Sequence, residues 1–381
     1  MNKSGKSSVK GRHKTDISYS VSRIGEFGLI ERILGKFSIG NRRSVLVGPG
    51  DDAAVIAAGK GRPLVLTTDM LVEGTHFRLE WSCPEALGFK AVTANLSDIA
   101  AMGGAPVGIV VSLGVPASVP IKVIDMLYLG ISNALSRSGG ELLGGDTVRS
   151  ERITVCVAAV GNLAGDRPLL RSGARKGDKV CVTGSLGCAE MGLVLLKRYF
   201  PRQRGSRRSA ILSWARRGIG DFQSRIPREI RRDGYACILK HLMPAPRMRE
   251  AQLLARQGVR TPSSMMDVSD GLSSDLSQLA RASSVGIEVF EDRIPIHPSA
   301  VRTAGHLGIS AARAAISSGE EYELLLTVPP SRLKNLSRTM KQAGATPLAV
   351  IGEVTGAKGI TYLIHPDGRR SRLTHAGFKH F

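Results

Sequence analysis

Short apolar runs that end at glycine or aspartate alternate along this chain with longer segments of helical periodicity, and this alternation constrains the fold. Residues 118–139 carry apolar side chains three and four positions apart and stop at Gly139-Gly140, which predicts a helix. Helices are also predicted after Pro84, as far as Gly103, and after Gly271. The runs rich in β-branched residues predict strands: "RPLVLTTDML" (62–71), "GIVVSLGV" (108–115), "ITVCVAAVG" (153–161) and "DKVCVTG" (178–184). A mixed α and β protein is expected.

The chain of 381 residues is long enough for two domains with their own cores. A segment rich in glycine, proline and charge, near residues 162–178, separates two halves. We therefore expect a basic tail at residues 1–24, an N-terminal domain at 25–163 and a C-terminal domain at 164–381.

The formal net charge of +21 is concentrated in two places. Residues 1–23 hold six Lys/Arg against one Asp, and residues 197–235 hold twelve against three acids, which together supply 14 of the 21 charges. Such segments are either solvated surface or a weak, salt-sensitive binding site for RNA or another polyanion.

The densest part of this basic region, residues 202–233, holds ten arginines and few large apolar residues beyond Ile211, Leu212, Trp214 and Phe222. We expect an insert with little to bury, which could be shortened without loss of activity. The alternative is that it closes over the active site and lends an arginine to a phosphate.

The five cysteines form no CxxC pair, and most lie in apolar runs, which indicates reduced core thiols and no zinc site. No apolar stretch approaches the ~20 residues that a membrane-spanning helix needs. The basic N-terminus has no hydrophobic region after it, so it does not resemble a secretory signal. A cytoplasmic location without membrane contact is expected.

Acidic residues terminate several of the apolar segments. "VGPGDDAAVI" (47–56) places Asp51 and Asp52 side by side, and the further acids are Asp69, Asp98, Asp146, Asp267 and Asp270. Each alone has a plain explanation as a turn, a helix cap or a solvated side chain. Together, with no Cys or His cluster, they are the hard oxygen ligands that suit Mg²⁺ shared with phosphates. The chain has no Walker GxxxxGK[ST] sequence, so the metal would carry most of the electrostatic work of a phosphoryl transfer.

At these residues the sequence resembles the thiamine-monophosphate kinases, in the superfamily of aminoimidazole ribonucleotide synthetase and selenophosphate synthetase. The matching segments run in order from about residue 25 to the C-terminal "GFKHF": "GEFGLIERI", "GPGDDAAVI", "TTDMLVEGTHF", "NLSDIAAMGGAP", "LLGGDT", "RSGARKGD", "DVSDGLSSDL" and "GEEYELLLTVP".

The resemblance implies a two-domain α+β fold of the aminoimidazole ribonucleotide synthetase type. Its N-terminal half would bind metal and ATP and pair its sheet with a second subunit in a homodimer, and its C-terminal half would be an α/β domain. It also implies direct, Mg²⁺-assisted transfer of a phosphoryl group from ATP to thiamine monophosphate, giving thiamine diphosphate.

Carried over by motif, the resemblance also implies roles for single residues. The implied metal ligands are Asp52, Thr67, Thr68, Asp69, Asp98, Asp146, Asp267 and Asp270. The implied ATP contacts are Gly145, Asp146, Arg171 and Ser269, and the implied contacts to thiamine monophosphate are His76, Glu320 and Phe378. From the residues alone, His76 could equally be a packed loop histidine, and Phe378 a C-terminal core residue.

Two positions depart from the family pattern, with Glu321 and Cys188 where aspartate is common, but neither removes an implied metal ligand. Two other functions stay open. One is a sibling ATP enzyme of the superfamily acting on another small substrate. The other is an RNA-associated protein on the same scaffold, suggested by the basic tail and insert.

Overall fold

The computed structural model describes residues 21–36, 44–59, 61–201, 206–258 and 261–373. Contacts along the chain divide it into a small unit, residues 1–40 with 379–381, and a large unit, residues 41–378. In the small unit the described element is helix α1 (Val21–Lys36), which has a kink at Gly25, where φ is 65°. Phe378 and residues 1–20 of the predicted basic tail lie outside the described residues.

The first sheet of the large unit has the strand order β1-β2-β3-β6-β4-β5, and its one parallel pair among the described strands is β4 with β5. Its strands are β1 (Val45–Val47), β2 (Ala54–Ile56), β3 (Leu64–Val72), β4 (Gly104–Val115), β5 (Glu141–Arg149) and β6 (Thr154–Leu163). Helices α2 (Pro84–Ala101) and α3 (Ile121–Ser138) pack against each other. Gly88 and Gly130 allow this approach, because a Cβ at Gly88 would lie 2.0 Å from the Leu127 carbonyl oxygen.

The second sheet has the order β13-β12-β9-β11-β7-β10-β8. Its strands are β7 (Lys179–Thr183), β8 (Ser264–Asp267), β9 (Gly286–Phe290), β10 (Leu324–Val328), β11 (Leu348–Thr355), β12 (Thr361–Ile364) and β13 (Arg370–Arg372). The helices of this half are α4 (Cys188–Tyr199), α5 (Arg207–Arg216), α6 (Arg231–Leu242), α7 (Met248–Ala255), α8 (Leu272–Ser283), α9 (Pro298–Leu307), α10 (Ala311–Ser317) and α11 (Pro330–Gln342). Short 3-10 turns lie at Ile219–Gln223, Arg228–Ile230 and Glu291–Arg293.

The four predicted strands are confirmed as β3, β4, β6 and β7, and the three predicted helices as α2, α3 and α8. The mixed α and β class is confirmed as well, with one sheet before residue 164 and the other after it. Among the described helices, none has both the length and the apolar composition that crossing a membrane requires.

One hydrophobic cluster joins the two sheets. It contains Val65 and Ile109 from the first sheet together with Cys181, Met265 and Leu326 from the second. The domain boundary at residues 163 and 164 therefore stays a prediction: it separates the sheets in sequence, while residues 41–378 pack as one compact unit.

The expectation that the basic insert has little to bury is wrong. Ile211, Trp214, Phe222, Ile226 and Ile230 are all buried. Ile211 and Trp214 belong to the cluster that joins the sheets, and the other three pack in a separate cluster with α4 and α6. The sequence does not show this, because the apolar residues among the arginines are few and widely spaced; all five of those named above are buried, whereas Leu212 is exposed.

Candidate active site

Three carboxylates from distant parts of the chain meet beside the middle of β3. Asp52 precedes β2, Asp98 lies in the last turn of α2, and Asp267 is the last residue of β8. Each offers one oxygen, and these oxygens all lie within 4.8 Å of one another. Asp52 and Asp267 are buried, and Asp98 is half-buried.

The cost of bringing these groups together appears in their pKa values. Burial raises the pKa of Asp98 well above its usual range, and the negative charges of Asp69, Asp267 and Asp52 raise it further. Burial likewise raises the pKa of Asp267 to about 7. Burial also raises the pKa of Asp52 and Asp69, and Asp270 adds to the shift of Asp69. The carboxylates repel one another unless positive charge lies between them.

Among the carboxylate oxygens of the cluster, the Arg171 guanidinium donates hydrogen bonds only to Oδ1 of Asp52. Its Nη2 and Nε donate to Asp52 Oδ1 at 2.5 and 3.1 Å, its Nη1 donates to Gln278 Oε1 at 2.8 Å, and its backbone N–H donates to Asp51 Oδ1 at 2.7 Å. Ser97 Oγ donates to Asp267 Oδ2 at 2.6 Å. Asp52 Oδ2 and Asp267 Oδ1 are buried without a hydrogen-bond donor. Such orphaned carboxylate oxygens in a group of hard donors fit a divalent cation.

The other predicted ligands divide into two groups. Thr67 lies with the cluster, since its hydroxyl donates to Asp98 Oδ2 at 2.6 Å. Asp69 is close enough to raise the pKa of Asp98, and Asp270 is close enough to raise the pKa of Asp69. The side chain of Thr68 is on the opposite face of β3, because successive residues of a strand alternate, and its hydroxyl donates to the Val157 carbonyl.

The predicted ATP contacts are also spread over two places. Gly145 and Asp146 lie in β5, an edge strand whose nine residues are all exposed, and one copy of the chain does not bring them to the cluster. Ser269 and Asp270 lie just before α8, where the backbone N–H groups of a helix start favour an anion. Arg171 contacts the same helix, since its Nη1 donates a hydrogen bond to Gln278 of α8.

The predicted substrate residues His76 and Glu320 lie at a small cavity next to the cluster. His76 Nδ1 accepts a hydrogen bond from the Val72 N–H at 3.0 Å, which fixes the ring in the loop after β3. Glu320 has a positive φ of 56°, and its carboxylate accepts from Lys90 Nζ at 2.8 Å and lies 3.3 Å from His241 Nδ1. The cavity is lined by His76, Phe77, Trp81, Ser82, Ala86, Leu87, Lys90, His241 and Leu242.

The cavity and the carboxylate cluster are neighbouring parts of one site. Glu320 N–H donates to the Ser269 carbonyl at 2.7 Å, two residues beyond Asp267. Lys90 and Asp98 both lie on α2, about 12 Å apart along its axis. The geometry therefore places a polar and aromatic cavity beside a cation site, an arrangement suited to moving a phosphoryl group between two bound molecules.

Sequence reasoning missed three residues of this site. Asp275 is fully buried with an orphaned Oδ1, and burial, with Asp270 and Asp267, raises its pKa well above the usual range. Its signal was the second aspartate of "SDGLSSDL", one turn into α8. Lys90, a charged residue inside an apolar helix, was a similar signal. Nothing in the sequence marks His241.

The two departures from the family pattern lie beside the cavity rather than in it. Glu321 is buried, and its Oε1 accepts from Ser318 Oγ at 2.6 Å and from the Ala189 N–H at 3.1 Å, at the start of α4. Cys188 is buried at the same helix start, with its sulfur 3.1 Å from that of Cys237. All five cysteines are free thiols, and four of them are buried.

Comparison with known proteins identifies the family. The N-terminal domain model of the AIR synthase related proteins matches residues 50–163, and the C-terminal domain model matches residues 218–365. The thiamine-monophosphate kinase of Mycobacterium tuberculosis (strain ATCC 25618 / H37Rv) is 34% identical over 361 residues, which cover 93% of this chain and 96% of that protein. The enzyme of the same name from Bacillus subtilis (strain 168) is 32% identical and covers 93% of this chain and 99% of its own length.

Solved structures agree. The structure described as "AaThiL complexed with AMPPCP and TMP" superposes with a TM-score of 0.75 at 29% identity, covering 96% of this chain and all of that one. Thiamine monophosphate kinase from Aquifex aeolicus gives a TM-score of 0.70 at 27% identity, covering 93% of this chain and 99% of that one. The hydrogenase maturation protein HypE in complex with ATP shares the fold, with a TM-score of 0.61 at 16% identity, over 91% of this chain and 94% of that one. With two domain models matched over more than half of its residues and relatives above 30% identity along nearly its whole length, the chain belongs to the thiamine-monophosphate kinases of the AIR synthase related family.

Proposed function

We propose that this chain transfers the terminal phosphoryl group of ATP to the phosphate of thiamine monophosphate, forming thiamine diphosphate and ADP. The carboxylate cluster of Asp52, Asp98 and Asp267 beside the His76–Glu320 cavity carries this proposal. Relatives named for this activity span the chain, and one related structure is described with an ATP analogue and TMP.

The residues divide the work between two ends of the site. The ATP phosphates lie at the carboxylate cluster and the start of α8, where Arg171 and Ser269 supply donors. Thiamine monophosphate lies in the cavity, where Glu320 presents a negative charge to a cationic heterocycle and the His76 ring forms part of the wall. Lys90 holds the Glu320 carboxylate ionised, since the positive charge of Lys90 lowers the pKa of Glu320.

Magnesium is part of the proposal. Asp52, Asp98 and Asp267 would hold it, with Thr67, Asp69 and Asp270 close by, because their oxygens are hard ligands and two of them are orphaned. Bound Mg²⁺ supplies positive charge that offsets the charge on the transferring phosphoryl group. No side chain is needed as a covalent nucleophile, since the acceptor phosphate oxygen attacks directly.

The test is thiamine diphosphate formation by the purified protein from ATP, Mg²⁺ and thiamine monophosphate, followed by chromatography. Thiamine and other small phosphate acceptors are assayed in parallel. His76→Ala should raise the KM for thiamine monophosphate and leave that for ATP nearly unchanged, with the exposed His306→Ala as control. Turnover of another acceptor without turnover of thiamine monophosphate would replace this function by that of a sibling enzyme. A raised KM for ATP alone would move His76 to the nucleotide side.

A homodimer is also part of the proposal. The outer face of the first sheet exposes Leu66 and Met70 of β3, Val110 of β4 and Val148 of β5, each at least 42% exposed. Contiguous apolar strand faces of this kind mark an association surface. A second copy would cover it together with β5, and so would enclose Gly145 and Asp146, the predicted ATP contacts that one copy leaves exposed.

Weak polyanion binding and a cytoplasmic location complete the proposal. Six arginines of the insert are exposed: Arg207, Arg208, Arg216, Arg225, Arg228 and Arg232. They favour a salt-sensitive affinity for RNA, which retention on immobilised RNA at increasing salt measures. The cytoplasmic location is the one expected of a biosynthetic enzyme that is supplied with ATP.

A further inference from the structure

The insert packs on the loop that forms one wall of the substrate cavity. We define the β3–α2 loop as residues 73–83 and the insert as residues 206–233, the described part of the basic segment. Phe77, Trp81 and Ser82 of the loop line the cavity together with His76. Near its start the loop is tied to the insert by an ion pair between Glu73 and Arg207, whose Nη2 lies 2.6 Å from Glu73 Oε2.

Arg217, at the end of α5, holds the second half of the loop. Its Nη1 donates to the carbonyl oxygens of Leu79 at 2.5 Å, Glu80 at 2.8 Å and Ser82 at 3.3 Å. Three carbonyl oxygens converging on one point repel one another unless a cation lies between them. The half-buried guanidinium is that cation, so the curvature of the loop at residues 79–82 depends on it.

Trp214 provides a further contact of the insert with the loop. Its indole is fully buried and stacks on Phe77, with ring centroids 6.4 Å apart and an angle of 23° between the planes. Its Nε1–H donates to Ser82 Oγ at 3.1 Å, and Ser82 Oγ donates to the Arg78 carbonyl at 2.8 Å. One helix end of the insert therefore fixes two of the residues that line the cavity.

We infer that the insert sets the shape of the cavity wall, with Arg217 and Trp214 as positioning residues that determine the affinity for thiamine monophosphate. This inference rests on the proposed function, because it takes that molecule as the occupant of the cavity. It also separates Arg217 from an arginine finger: carbonyl oxygens of the loop hold the guanidinium through Nη1, so Arg217 acts on binding of the acceptor and not on the phosphoryl transfer.

The test is steady-state kinetics of Arg217→Met, which keeps the length of the side chain and removes its donors. The KM for thiamine monophosphate should rise about tenfold or more, while kcat and the KM for ATP stay within about twofold. Arg217→Lys, which keeps the charge, should give an intermediate KM. The neighbouring exposed Arg216→Met is the matched control and should behave as the wild type.

A second variant protects the test against misfolding. Trp214→Phe keeps an aromatic ring against Phe77 but, with its smaller ring, loses the N–H that binds Ser82. It also leaves Trp81 as the one tryptophan of the chain. Quenching of Trp81 fluorescence by thiamine monophosphate without ATP then reports binding directly. The Arg217→Met, Trp214→Phe double variant should bind thiamine monophosphate more weakly than Trp214→Phe alone. The ratio of the two Kd values should equal the factor by which Arg217→Met raises the KM.

The outcomes separate the inference from the proposed function. An active wild type with an unchanged KM for thiamine monophosphate in Arg217→Met overturns the inference alone. A variant with a lower melting temperature and reduced kcat, but both KM values unchanged, also overturns it, since the insert would then only stabilise the fold. A wild type that forms no thiamine diphosphate overturns the proposed function and the inference with it.

Discussion

Asp98 shows at the scale of one residue why an acidic cluster is evidence of function. Its carboxylate is half-buried beside Asp52 and Asp267, an arrangement that costs stability in the absence of cations. A side chain that served only the fold would be replaced by asparagine at no loss. We therefore expect stability and activity to respond in opposite directions to changes at this position.

Asp98→Asn and Asp69→Asn should each lower kcat by at least ~10²-fold, because each removes a charge that helps hold Mg²⁺ at the phosphates. In EDTA, the melting temperature of each variant should equal or exceed that of the wild type, since repulsion is relieved. Asp125→Asn, on the exposed side of α3, is the control. Near-normal turnover of both variants at saturating Mg²⁺ would remove these residues from the metal site.

His241 carries a pH dependence that belongs to the fold. Burial and the charge of Lys90 lower the pKa of His241 to about 3, whereas the unfolded chain titrates near 6.5. Below pH 6.5 the unfolded state therefore takes up a proton that the folded state does not, and stability falls as the pH falls toward 3.

The expected size of this effect is about 2 kcal/mol lost between pH 7.5 and pH 5. Urea unfolding of the wild type and of His241→Gln gives the free energy of unfolding of each at pH 7.5 and pH 5. The contributions of the other titratable groups cancel when the pH-dependent change in the variant is subtracted from that in the wild type. Equal changes in the two proteins would mean that His241 is protonated in the folded state at pH 5.

Asp52, Asp98 and Asp267 could be singled out from the sequence because each lies where an apolar segment ends, but Asp146, chosen on the same ground, lies in an exposed strand. The partners of Glu320 could not be singled out. Lys90 and His241 are 151 residues apart and come together only through the packing of α2 against α6. A lysine inside an apolar helix signals a buried partner, but the sequence does not say which residue that partner is.

At the scale of elements, β5 and the insert show where sequence patterns stop being informative. "ELLGGDTVR" reads as an apolar run broken by glycines, yet it forms one strand of nine residues. Parallel pairing with β4 holds it extended, with a bulge opposite Ile109 and Val110. In the insert, α5 is buried through only two of its residues, Ile211 and Trp214, so periodicity gave no signal.

Trp214→Ala should lower the free energy of unfolding by about 3–5 kcal/mol, the usual cost of truncating a buried tryptophan. Leu212→Ala, at a position of α5 that is 41% exposed, should change it by less than about 0.5 kcal/mol. Chemical denaturation measures both. Equal, small changes in the free energy of unfolding of both variants would support the sequence-based expectation that the insert has little to bury.

The whole molecule presents one apolar sheet face that a second copy would bury. Met70→Asp, at a residue that is 52% exposed on that face, should shift the protein from dimer to monomer in light scattering. It should also weaken ATP binding, because β5 would lose its cover. Ile121→Asp, 76% exposed at the start of α3, should leave the dimer intact. A monomeric wild type would contradict the proposal.

The hydrophobic cluster shared by the two sheets also limits how the enzyme can open. Bending the molecule about residues 163 and 164 would divide this cluster, which holds Val65 and Ile109 as well as Met265 and Leu326, and expose apolar core to water. Hinged closure of two lobes over the substrates is therefore too costly to accompany each turnover. Water must instead be excluded, and product released, by small movements of the loops at the rim of the site.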